Sequence, residues 1–204
     1  MTTYGSKMAS AGNKWRTAIC RCLCLAVVMA LLSPMTGLCS PDRFVDSNEY
    51  KDKDFHKGNI KDYSDMVKGD DIDWVSANAA QNLAQYNVKL GKVENKSDTH
   101  SKALVEAVKS TFKSAFDDRE SKGSKGTLTA ELCIFETQDY NPGKAWIPFV
   151  GGHQMQAGIG IEVLLVDANN RTVAKFRHFA RRGVAIESAA EEAAGDLTKY
   201  INKH

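Results

Sequence analysis

The groups in this chain best suited to acid–base chemistry are two histidines and a glutamate: His153, His178 and Glu162. An imidazole beside a carboxylate can pass a proton near neutral pH, because histidine titrates there unaided. The segments holding His153 and His178 can pair with one another. One reading is therefore a secreted enzyme whose site is assembled in space around these three residues. The spacing along the chain is silent on the point. The histidines at 56, 100, 153, 178 and 204 form no H-E-x-x-H pair, and no G-x-S-x-G elbow is present. Glu131, Glu136, Glu162 and Glu187 would make an acid pair only through tertiary folding.

Metal and phosphate chemistry find less support. Asp52-Lys-Asp54-Phe-His56-Lys57 places a lysine where a calcium loop needs its turn glycine. Those aspartates, with Asp70, Asp71 and Asp73, read as a solvated acidic loop. Gly151, Gly152, Gly158 and Gly160 suggest a phosphate loop, but Gly158-Ile-Gly160 runs into a strand rather than a helix. Permissive backbone geometry, a bulge or a close crossing, suits them better. Cys20, Cys22 and Cys24 alternate in an apolar leader without the paired spacing zinc needs. Cys133 reads as a small buried hydrophobe. No motif requires a cofactor.

The best candidate surface is the connection over 141–156, with Tyr140 at its edge. It carries Pro142, Trp146, Pro148, Phe149 and three glycines. Tyrosine and tryptophan dominate binding hot spots, so Trp146, Phe149 and Tyr140 are the expected partner-binding residues. The alternative is that Trp146 and Phe149 fold back over the core.

These groups must be positioned by an alternation of strands and helices. Tyr86, Val88, Leu90 and Val93 predict a strand over 86–93. Leu104, Val108, Phe112 and Phe116 recur at helical spacing and predict a helix over 100–118. Leu128, Ala130, Leu132 and Ile134 share one face of a strand over 127–136. Residues 144–150 suit a short edge strand, because Pro148 removes a ladder donor. A very apolar strand over 158–167 turns at Asp167-Ala-Asn-Asn170 and returns over 172–180 as a hairpin. Ser188 and Glu191 fit a capping box that opens a final helix, with Ala190, Ala193, Leu197, Tyr200 and Ile201 on its buried stripe. The expected order is β-α-β-(β)-β-β-α: an α+β fold with a mostly antiparallel sheet and helices packed on one face.

Upstream lies a different kind of segment. Residues 1–39 hold four basic residues (Lys7, Lys14, Arg16, Arg21) and no Asp or Glu, followed by an apolar run over 22–32 and a break at Ser33-Pro34. This is the layout of a secretory signal. An uncleaved membrane anchor and a buried N-terminal helix are the alternatives. Cys39 stands where a lipoprotein carries its acylated cysteine, although Thr36 and Leu38 suit that signal poorly. Ordinary cleavage after Cys39 would start the mature chain at Ser40. The domain division is then a signal over 1–39, an exposed lead-in over 40–58 and one domain over 59–204. Removing four basic residues from 27 leaves 23 against 25 acidic. Such a balance gives no electrostatic case for nucleic acid. Membrane contact is expected only through the N-terminus, if Cys39 is lipidated or the leader stays on.

At Asn59-Ile-Lys-Asp-Tyr-Ser-Asp-Met66 the chain resembles a family of uncharacterised bacterial envelope proteins, many of them lipoprotein candidates with a domain of unknown function. Their D-Y-S opening matches Asp62-Tyr63-Ser64. Their strand, glycine-containing hairpin and C-terminal helix match Tyr86-Asn-Val88, residues 158–167 and residues 189–201. The resemblance spans 59–202. It implies export to the periplasm or cell envelope and supplies no catalytic residues. Taken together, these features predict an exported, non-enzymatic binding or assembly accessory protein with an envelope protein as partner.

Overall fold

The computed structural model describes residues 57–79, 82–119, 125–142 and 155–204. Strands β1 (Met66–Lys68) and β2 (Trp74–Ser76) come first. A 3-10 turn at Leu83–Gln85 leads into β3 (Asn87–Asn95), helix α1 (Lys102–Asp117) and β4 (Thr127–Gln138). Then follow β5 (Gly158–Val166), β6 (Thr172–Arg181) and helix α2 (Ile186–Lys203). Among the described residues the strands form one sheet in the order β1-β2-β6-β5-β4-β3. Every neighbouring pair is antiparallel except β3 and β4, which run parallel because α1 carries the chain across between them. The fold is α+β, as the periodicities predict.

The apolar patterns explain the layers. Leu104, Val108, Phe112 and Phe116 of α1 are buried against Leu128, Ala130, Leu132 and Ile134 of β4 and the inward residues of β5. Burying each large member contributes roughly 1.5–3 kcal/mol. Ser101 caps α1 by accepting from the Leu104 amide at 3.3 Å. Ala189, Ala190, Ala193, Ala194, Leu197 and Ile201 bury the α2 stripe in the same core, so both helices cover one face of the sheet. In the β5–β6 turn, Asp167 accepts from the Asn169 and Arg171 amides at 2.8 and 2.9 Å, and Asn170 takes φ 59°. Asparagine tolerates that left-handed geometry better than most residues.

Three expectations are corrected. The short β1–β2 hairpin precedes the predicted first strand. Helix α2 begins at Ile186 with Ala185 as its cap and no side-chain capping bond. The Ser188–Glu191 box therefore lies inside the helix, where its capping geometry has no free amides to serve. The acidic residues at 70, 71 and 73 are paired rather than merely solvated, as described below. The edge strand expected over 144–150 lies outside the described residues.

Gly195 sits on the exposed side of α2, and a Cβ built there meets no neighbouring atom. Close packing does not require it. Gly195→Ala is expected to stabilise the protein by about 1 kcal/mol through helix propensity. Thermal unfolding checks this, and an unchanged or lower midpoint would refute it.

Candidate functional site

The C-terminal ends of β4 and β6 and the start of β5 lie together at one end of the sheet. Gly158 pairs with both Gln138 and Arg181 there. The chain beyond the strands is tied to the same place. Asn141 N donates to Met155 O at 3.1 Å, Ala157 N to Gly183 O at 3.1 Å, and Arg182 N to Ala157 O at 3.0 Å. Tyr140 and Val184 therefore flank the short 155–157 stretch. They are also large apolar residues left exposed, at 39% and 68%. Arg181 stacks its guanidinium 4.3 Å from the centroid of the Phe179 ring nearby. A Cβ at Gly158 would come within 2.6 Å of that ring, and one at Gly160 within 2.6 Å of Phe135. The two glycines are close crossings beneath aromatic rings. Of the expected partner-binding residues, Tyr140 is at this end; Trp146 and Phe149 lie outside the described residues, as do His153 and Cys39.

A polar centre occupies the sheet face opposite the helices. Glu162 on β5 stands opposite Arg177 on β6, and the two form a buried ion pair with side-chain exposures of 0% and 5%. A strap over 57–63 closes above them. Glu162 Oε2 accepts from the Asn59 and Ile60 amides at 2.5 and 2.8 Å, and Oε1 accepts from Tyr63 Oη at 2.6 Å. A Cβ at Gly58 would overlap this carboxylate, so the strap passes close only because Gly58 lacks one. Arg177 also lies 3.7 Å from the Phe135 ring centroid. Burial, and then the Glu162 charge, hold the Tyr63 phenol well above its ordinary range. Burial and the same charge push the Cys133 thiol up to about 11, and Cys133 is a free, buried residue. A thiol in that state is a poor nucleophile.

The Asp62-Tyr63-Ser64 motif has a local logic here. Asp62 accepts from the Ser64 amide at 2.9 Å and turns the chain. Tyr63, 1% exposed, is driven into the sheet with Ile60 and Met66 beside it. Below the strap lies a cleft of about 470 Å³, lined by Asn59, Ile60, Asp65, Ser76, Leu164 and Lys175 among others. That volume suits a small molecule. The Lys175 amine, however, already donates to the Asp62 carbonyl at 2.7 Å and pairs with Asp65.

His178 lies on the other face. It pairs across the hairpin with Ile161, one step from the Glu162–Arg177 pair, and strand side chains alternate between faces. The site expected around His178 and Glu162 is therefore not assembled: the sheet itself separates them. His178 instead sits between two carboxylates. Nε2 is 3.0 Å from Asp196 Oδ2 on α2, and Nδ1 is 3.2 Å from Asp73 Oδ2 in the β1–β2 turn. The second contact is at ion-pair distance but is not aligned as a hydrogen bond. Two further pairs, Lys199 with Asp71 at 2.7 Å and Lys203 with Asp70 at 2.6 Å, bind the same turn to α2. Asp73 and Asp196 face different ring nitrogens, so no single ion can reach both. Among the described residues no group of three or more His, Cys, Asp and Glu is placed to hold a metal. None of their helices is long and apolar enough to cross a membrane.

Dodecameric PelC from Paraburkholderia phytofirmans is similar in structure at 9% identity, with a TM-score of 0.45 over 64% of this chain and 96% of that one. A lipoprotein candidate from Caulobacter crescentus CB15 is similar at 16% identity, with a TM-score of 0.35 over 62% and 93% of the two chains. No protein-family profile and no curated protein matches the chain.

Proposed function

We propose that this chain is an exported, non-enzymatic protein of the cell envelope that binds a partner protein through the end of the sheet bearing Tyr140 and Val184. The observation that carries the reading is the exposure of these two apolar side chains on either side of the 155–157 stretch. Exposed apolar groups gathered in one place mark interaction sites, whereas scattered ones are ordinary. The sequence adds Trp146 and Phe149 to the connection that leaves and rejoins the sheet there. The basic, acid-free leader with its apolar run supports export. Glu162 supports a structural rather than catalytic role for the polar centre. Its carboxylate accepts four donors beneath a strap, so its lone pairs are committed.

The experiment places a photo-crosslinking residue at Val184 of the full chain in its native host and identifies the envelope protein captured. Replacing Trp146 and Phe149 with serine, and separately Tyr140 with serine, is expected to lower capture of that protein by about tenfold or more, as hot-spot removal does. The unfolding midpoint of the Tyr140 variant should stay close to wild type, because the residue is exposed. Unchanged capture in both variants would overturn the reading.

A further inference from the structure

His178 joins three elements: it belongs to β6, its Nε2 meets Asp196 on α2, and its Nδ1 faces Asp73 in the β1–β2 turn. A neutral imidazole carries one N–H. Whichever nitrogen lost its proton would turn a lone pair toward a carboxylate 3.0 or 3.2 Å away. Only the imidazolium is attracted to both. The ring is buried, with 10% of the side chain exposed, while Asp73 and Asp196 are 51% and 27% exposed, so water screens these contacts only in part.

We propose that His178 is a proton-operated latch, which as an imidazolium clamps the β1–β2 turn and α2 to the sheet, and which on losing its proton lets the turn go. The surroundings agree with this from every side. Asp73 from the turn and Asp196 from α2 supply the negative charge. Arg181 of β6 acts on Asp73, Lys199 of α2 feels Asp196, and the β5 neighbour Ile161 is apolar. Burial works against the charged ring, but the close contact and charge of Asp73, and then those of Asp196, outweigh it and raise His178 above its ordinary 6.5. Such a group contributes its full stability below the unfolded value near 6.5, and that stability is lost as pH rises through the higher folded value. Asp73 is held below its ordinary range, so its own contribution fails only in acid. The Lys199–Asp71 and Lys203–Asp70 pairs, which join the same turn to α2, are more exposed.

The Phe179 amide reports on the latch directly, because it donates to Asp73 Oδ2 at 2.7 Å. The test is nitrogen NMR of the histidine rings in the full chain, with amide hydrogen exchange followed from about pH 5 to pH 9. Below the transition His178 should carry protons on both nitrogens. Across it, exchange at Phe179 and in the turn should rise about tenfold per pH unit beyond the intrinsic base catalysis. H178Q should abolish that excess, and D196N should move the ring's midpoint down. A ring singly protonated throughout, or turn protection unmoved as the ring titrates, would overturn the proposal in the wild-type protein alone. The same excess persisting in H178Q would also overturn it.

Discussion

Arg177→Met is expected to destabilise the protein by about 3–5 kcal/mol, because it leaves the Glu162 carboxylate charged, buried and stripped of its nearest cation. Glu162 has no exposed side-chain surface, so water cannot replace the guanidinium. The three neutral donors that remain, the Asn59 and Ile60 amides and the Tyr63 hydroxyl, cannot supply a full counter-charge. The double variant Arg177→Met with Glu162→Gln separates charge from hydrogen bonding. A glutamine carbonyl still accepts from the strap amides, and its amide can donate to the Tyr63 oxygen. Part of the lost stability should therefore return, a coupling that a double-mutant cycle measures by urea unfolding. If the single variant unfolded within about 1 kcal/mol of wild type, the pair would not be the strap's anchor.

Phe176→Ala carries the second large effect, about 3–5 kcal/mol. Phe176 is 1% exposed. It pairs with Val163 on β5 and Val75 on β2, and its ring meets that of Tyr200 on α2 edge-on at 5.5 Å. One side chain thus fills the space where two neighbouring strands and a helix converge, and alanine would leave a gap that rigid elements on all sides cannot close. Chemical unfolding reads the loss. A cost under about 1 kcal/mol would mean that α2 collapses onto the sheet.

The parts of the fold that were legible are those where many residues repeat one signal. The α1 stripe from Leu104 to Phe116 and the almost unbroken apolar run of β5 over nine residues leave little ambiguity. The β1–β2 hairpin was not legible, because strands of three residues are too short to show a period. The Ser188–Glu191 box misled, since a capping pattern says nothing about whether the helix has already begun two residues earlier. The pairing of Asp70 and Asp71 with Lys203 and Lys199 joins residues 133 and 128 apart, a distance no local pattern reports. The polar centre was half visible. Glu162 in the most apolar strand demanded a partner, but counting back from the Asp167 turn arrives at Phe176; the register shift between Leu165 and Val166 is what sets Arg177 opposite it. Considering Glu162 with the histidines instead overlooked the alternation that sends His178 to the opposite face.

The strap over Glu162 also bears on the order in which the molecule can be made. Its amides at 59 and 60 bond to a residue 103 and 102 positions downstream, and Tyr63 lies near an arginine 114 positions away. Closing so long a loop is entropically costly until the acceptor is already held in place. The β5–β6 hairpin that carries the acceptor is local, its strands joined by a short turn at Asp167. A chain emerging from its amino end therefore cannot close the strap's bonds to Glu162 until that residue and Arg177 have been delivered, and only then is the charge at Glu162 shut away from water.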